Sequence, residues 1–191
     1  MNKPMANIKQ KIPPRLRKIL RMIVTFLLLD LSKEVKNIIN NITLCYYQSY
    51  GKSVFLSKSI ICDQESEYEI HMLTCERDFK EALWCLKTFY HFSGLRAGLF
   101  IHDDGTLTGD AIKIFKDHFT GCNIILKKDA DTLLREILSK HEFCLKFRFG
   151  DFCGSAMTIK LFDSVFYSRT NKILILDSDI LFFKKPLEIL E

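Results

Sequence analysis

From Glu69 onward, apolar positions fall into two alternating patterns, short continuous runs and longer stretches of helical spacing. Glu69 to Cys75 reads as a strand, and Glu76 to Phe92 follows as a helix with Phe79, Ala82, Leu83, Leu86, Phe89 and Tyr90 on one stripe. Ser93-Gly94 stops it. Leu95 to Ile101 predicts a second strand that runs into His102-Asp103-Asp104-Gly105. Thr108-Gly109-Asp110 opens a second helix with Ile112, Ile114, Phe115 and Phe119 as core residues and Gly121 beyond its end. Cys122 to Leu126 is a third strand, Asp131 to Ser139 a helix carrying Leu133, Leu134, Ile137 and Leu138, and Ser155 to Tyr167 a further helical stretch. Ile173 to Leu176, dense in Ile and Leu, reads as a fourth strand buried on both faces. Strands alternating with helices at this spacing imply an α/β fold, a mostly parallel, Rossmann-like sheet flanked by helices. Ligands of such sheets bind at the carboxyl ends of the strands. Thr74, Asp103, Asp104, Asp177 and Asp179 all fall at or near those ends.

Residues 1–67 have a different character and are read as a basic and apolar helical extension to the α/β domain of residues 68–191. Lys9, Lys11, Arg15, Arg17, Lys18 and Arg21 crowd around Pro13-Pro14, and Met22 to Leu29 is almost wholly apolar. The apolar run from Ile19 to Leu31 is shorter than the ~20 residues a membrane span needs, and no small-residue cleavage site follows it. Two readings stand: a basic helix lying on an anionic membrane surface, or one docked on the domain with its basic end in water.

The 191 residues are 48% hydrophobic and include 16 Phe against one Trp, enough for one well-filled core. The net charge of +5 is modest, and no face of clustered Lys and Arg interleaved with aromatics marks a nucleic-acid surface. Seven cysteines without a CxxC pair indicate neither a zinc ribbon nor a disulfide framework, so the expected compartment is the reducing cytoplasm. His71, inside a strand, reads as a core histidine, and Phe143, Phe147, Phe149 and Phe152 read as core or lid packing.

Asp177 and Asp179 emerge where the last strand should leave the sheet. Two carboxylates withdrawn from water ask for a cation, and oxygen ligands point to Mg²⁺ or Mn²⁺, ions that usually bring phosphates. A structural turn is the plain alternative, because Asp favours turns; the same holds for Asp103-Asp104-Gly105.

Leu176-Asp177-Ser178-Asp179, followed by Ile180-Leu181-Phe182-Phe183-Lys184-Lys185-Pro186-Leu187-Glu188, resembles the DxD region of nucleotide-sugar glycosyltransferases with the A-type fold. The preceding Met157 to Phe162 is similar to the helix that carries a basic residue in the glycogenin and bacterial galactosyltransferase-like group. The resemblance covers roughly residues 69–191. It implies transfer of a sugar from a nucleotide diphosphate with the help of a divalent metal held by Asp179 and Asp177. It further implies that Asp177 binds the ribose, the metal or both, Lys160 lies against a phosphate or the sugar, Thr74 lies under the nucleoside, Asp103 or Asp104 is a secondary contact, and Ser178 contacts the nucleotide sugar. The family's acceptor-binding half and its further metal ligand have no counterpart here, and no catalytic base is identified. The chain thus resembles the nucleotide-binding half of such an enzyme, with a fold incomplete at its C-terminus. The alternative is an inactive or split copy that binds a nucleotide sugar or a partner without transfer. Haloacid-dehalogenase-type phosphatases also place DxD after a strand, but carry Thr or Val where this chain has Leu181.

Overall fold

A computed structural model describes residues 32–39, 41, 51–150 and 156–190. The chain divides into two compact units, Met1–Tyr50 and Gly51–Glu191. In the first, residues 32–39 form a helix, α1, with exposed side chains. The expected basic and apolar helix at residues 9–31 lies outside the described residues. No helix among the described residues is long and apolar enough to cross a membrane.

The second unit is α/β. Its main sheet consists of β2 (Tyr68–Thr74), β3 (Gly98–Asp103), β5 (Asn123–Ile125) and β6 (Lys172–Leu176), all parallel, in the order β5-β3-β2-β6. The strand that comes first along the chain is therefore internal, and the direction of winding reverses between β2 and β6. Helices α2 (Phe79–Ser93), α3 (Gly109–His118), α4 (Lys127–Leu138), α5 (Glu142–Phe149), α6 (Ala156–Tyr167) and α7 (Leu187–Leu190) complete the unit. This is the Rossmann-like arrangement that the alternating pattern implies.

Residues 51–67, read from sequence as part of the extension, pack into this unit. Val54 is fully buried, and the short β1 (Ile60–Ile61) pairs in parallel with β4 (Phe119–Thr120). The Lys87 ammonium, largely buried, donates to the carbonyls of Lys58 and His118 and so pins that segment to α2. Two-residue strands leave no periodicity to detect, which is why the pattern misses this small sheet.

The two faces of the main sheet carry different residues, because side chains alternate along a strand. Ile70, Met72, Leu99, Ile101 and Leu176 join Leu83, Leu86 and Phe89 of α2 and Phe115 of α3 in the apolar core. The α2 stripe is buried as its spacing predicts. It ends at Gly94, whose φ of 67° is the left-handed conformation that glycine adopts without a Cβ penalty. Thr108 caps α3 by accepting from the Ala111 N–H at 3.2 Å. Thr108→Ala is expected to cost about 1 kcal/mol, read by urea denaturation.

The opposite face carries Glu69, His71, Phe100 and His102 and is packed by α6, which in turn contacts α4 and α5. His71 is a core residue as expected. It is fully buried, stacks on Phe100 with 4.6 Å between ring centroids, and shares a 2.9 Å Nδ1···Nε2 hydrogen bond with His102. The Glu69 carboxylate lies 3.6 Å from His71 Nε2 and accepts from the backbone N–H groups of Arg169 and Thr170.

Beyond this layer, Arg148 of α5 is 1% exposed. Its guanidinium donates to Asp163 of α6 at 3.2 Å and to Asp131 of α4 at 2.7 Å, so one buried cation fastens three helices. Helix α5 covers most of the Phe-rich tract read as core or lid. Phe143 is nevertheless 80% exposed, and the helix's deeply buried side chain is the arginine.

Candidate functional site

Three connections meet at the carboxyl ends of β2, β3 and β6. After β2 comes Cys75-Glu76-Arg77-Asp78, which leads into α2. Arg77 donates to Asp78 through two hydrogen bonds, of 2.7 and 3.0 Å, and these hold the Asp78 carboxyl below its ordinary range. After β3 comes a turn built by two aspartates. Asp103 Oδ1 accepts from the N–H groups of Gly105 at 2.8 Å and Leu107 at 3.0 Å, and Asp104 Oδ1 accepts from the Thr106 N–H and hydroxyl. Gly105 supplies the φ of 102° that this turn requires.

The two loops brace each other. The Glu76 N–H donates to Thr106 Oγ1 at 3.0 Å, the Thr108 N–H donates to the Glu76 carboxylate at 2.9 Å, and the Asp104 N–H donates to the Thr74 carbonyl at 3.2 Å.

The third connection, Asp177-Ser178-Asp179, follows β6. It is tied to α2 by the Cys85 thiol, which donates to the Asp177 carbonyl at 3.3 Å, and by the Phe182 N–H, which donates to Thr88 Oγ1 at 3.2 Å. Phe182 also packs edge-on against Phe89. The Lys160 ammonium, on α6, forms an ion pair with the Asp177 carboxylate.

These segments enclose an open cleft of about 580 Å³ lined by Thr74, Asp104, Lys160, Asp177, Ser178 and Asp179, with Cys75, Arg77, Asp78 and Glu81 on the α2 side. It lies between β2 and β6, where the winding reverses, the place at which open parallel sheets offer a crevice to ligands. Of the residues singled out from sequence, the fold brings together all but Asp103. That side chain is buried and spends its carboxylate oxygen on its own turn.

Two features depart from the sequence reading. Asp177 is 55% exposed and Asp179 is exposed as well, since the chain turns outward immediately after the buried Leu176. Burial of the carboxylates therefore creates no demand for a cation. Both line the cleft, where the Lys160 ammonium balances Asp177. The second feature is Glu81, in the first turn of α2. Its Oε2 is buried without a hydrogen-bond partner, as is Oγ1 of Thr74, a residue only 4% exposed. Both residues line the cleft. A charge in the first helical turn reads as a complement to the helix dipole, which hides Glu81. The signal that finds it is the spacing of Asp78 and Glu81, one turn apart on the same helix face.

Among the described residues, no three His, Cys, Asp or Glu side chains stand close enough together to hold a metal ion by themselves. A hard divalent cation bound through one or two carboxylates, with phosphate and water oxygens completing its shell, needs no such group. The Asp177–Asp179 pair fits that kind of site. No family model, curated protein or solved structure matches this chain.

Proposed function

We propose that the cleft binds the donor of a glycosyl transfer, a sugar carried on a nucleoside diphosphate, together with Mn²⁺ or Mg²⁺. The observation that carries this reading is the convergence of Asp177, Ser178, Asp179, Lys160 and Thr74 in one crevice at the reversal point of a parallel sheet. The strand–DxD order of the A-type glycosyltransferases supports it further. Asp179 and Asp177 would hold the metal, which supplies Lewis-acid stabilisation of the charge that builds on the departing diphosphate. Lys160 offers its ammonium to a phosphate oxygen, Ser178 a hydroxyl, and Thr74 and Asp104 polar groups to the nucleoside. The Glu76–Thr106 and Glu76–Thr108 bonds tie the loops after β2 and β3 to each other, so less ordering is required when a ligand enters.

The test is calorimetric titration of the chain with UDP and GDP, each with and without Mn²⁺. Binding is expected only with the metal, and Asp179→Ala is expected to weaken it by roughly a hundredfold, the loss of a charge-assisted ligand. Absence of binding to either nucleotide, in protein whose circular dichroism is that of a folded α/β domain, would contradict the proposal. Metal-dependent binding of a nucleotide sugar, without transfer of its sugar to candidate acceptors, would identify a donor-binding partner in place of a transferase.

A further inference from the structure

Helix α2 also lines a second cleft, of about 680 Å³, which shares no residue with the one at the strand ends. Residues 57–61 and Gly94-Leu95-Arg96 supply the rest of its lining. The volume is that of a small-molecule site, roughly 300–1,000 Å³. Ile60, Ile61, Trp84 and Leu95 make much of the wall apolar, and the Ile61 side chain is left 76% exposed by the fold.

The charge of the lining is one-sided: it includes Lys58, Lys87, His91 and Arg96 and no carboxylate. Among the described residues, none of these four forms an ion pair. Lys87 is only 8% exposed, and what answers it is neutral, two backbone carbonyls and the Phe119 ring, whose centroid lies 4.9 Å from Nζ. Burial pushes its ammonium down to about 8. A buried cation of this kind attracts an anion more strongly than a solvated one, because the interaction grows as the local dielectric falls. Lys58 and Arg96 are exposed and add charges on flexible stems. Basic side chains near the end of a helix also complement its dipole, but that effect fades within the last turn and does not reach Lys87. We infer that this cleft binds an organic anion with an apolar body, the charged group among Lys58, Lys87 and Arg96 and the hydrocarbon against Ile61 and Trp84. The inference is independent of the donor-binding reading.

Trp84 is the only tryptophan of the chain, so intrinsic fluorescence reports on this cleft. The experiment titrates the full chain with octanoate, octylammonium and 1-octanol, probes of one chain length and different charge. Octanoate is expected to change the emission saturably and to bind about tenfold or more tightly than the other two, the worth of a hydrogen bond to a charged group. The double variant Lys58→Glu with Arg96→Glu alters two exposed side chains and keeps the Lys58 carbonyl that Lys87 uses. It is expected to keep its circular dichroism, lose the octanoate advantage and favour octylammonium. Equal binding of the three probes would show a cleft indifferent to charge and overturn the inference. Unchanged octanoate affinity in the double variant would place the anion elsewhere and overturn it as well. No saturable change in emission, and no heat in calorimetry with octanoate, would leave the basic side chains as surface and helix-end charges.

Discussion

Arg148→Ala is expected to cost roughly 3–5 kcal/mol, a large part of the 5–15 kcal/mol that typically holds a domain together. The side chain is among the largest fully buried ones in the protein, and it answers Asp163, itself 1% exposed. Asp131, with partial access to water and a second partner in Lys127 at 2.6 Å, survives the loss; Asp163 does not. Burial already lifts the Asp163 carboxyl to about 6 even with the guanidinium beside it. Alanine at position 148 leaves that carboxylate alone in a low-dielectric layer, and α5 loses its anchor to α4 and α6. Urea denaturation at neutral pH reads the loss. The double variant Arg148→Met with Asp163→Leu is expected to recover much of it, because removing both charges also removes the desolvation penalty. A single-variant cost under about 1 kcal/mol would mean that the triad behaves as a surface ion pair.

Acidification is the second large effect. Burial pushes the His102 imidazole down from 6.5 to about 3, with His71 adding to the fall, and burial lowers His71 as well, against the pull of Glu69. Histidines depressed in the folded state favour folding above their unfolded value of 6.5, and that contribution drains away as pH falls toward the folded values. Each contributes a slope of about 1.4 kcal/mol per pH unit while it titrates only in the unfolded chain. Asp163 acts in the opposite sense. Its raised folded value favours folding at low pH, so between 6 and 3.8 it returns part of the loss. Just below 6.5, then, these two histidines destabilise together with His118, which burial also lowers, and below 6 they outweigh one carboxyl. Tyr167, edge-on to His102, is pushed up by burial and so away from this window, and the Arg169 guanidinium lies over the Phe100 ring. The expected result is a urea midpoint that falls steadily from pH 7 toward pH 5. His102→Phe should flatten this slope by about one proton's worth. An unchanged slope in that variant would show that the pair is already hydrated.

The architecture was legible because its signals are long and redundant. The α2 stripe repeats along the helix, and β2, β3 and β6 are short segments rich in apolar residues whose order along the chain allows few topologies. Boundaries were less so: β3 begins at Gly98, not Leu95, and α4 starts at Lys127, a turn before the expected Asp131. The reading of β6 as buried on both faces is corrected: it is the edge strand, and of its residues only Leu176 is buried. Leu133 and Ile137 read as core but remain partly exposed, because only the stripe of Ala130, Leu134 and Leu138 is buried. Helix α5 was invisible, since its anchor is an arginine and its phenylalanines do not form a buried stripe. At the site, Thr74, Asp177 and Asp179 could be found from position and residue type, and Lys160 only through the family resemblance. For Glu81 the spacing with Asp78 marks only a shared helix face, because an unsatisfied oxygen is a property of three-dimensional packing.

The placement of β6 also bears on the order in which the chain acquires its shape. Glu69 and Arg169, a hundred residues apart, meet across the sheet, and β6 pairs with β2 and with no other strand of the main sheet. Such non-local pairing carries a loop-closure cost that slows folding. During synthesis, Thr74 and Glu81 leave the ribosome long before Asp177 and Asp179. The cleft has no second wall until β6 docks, so a nascent chain cannot engage a ligand across it. Ligand present during refolding should therefore stabilise the docked state without accelerating the steps that precede it.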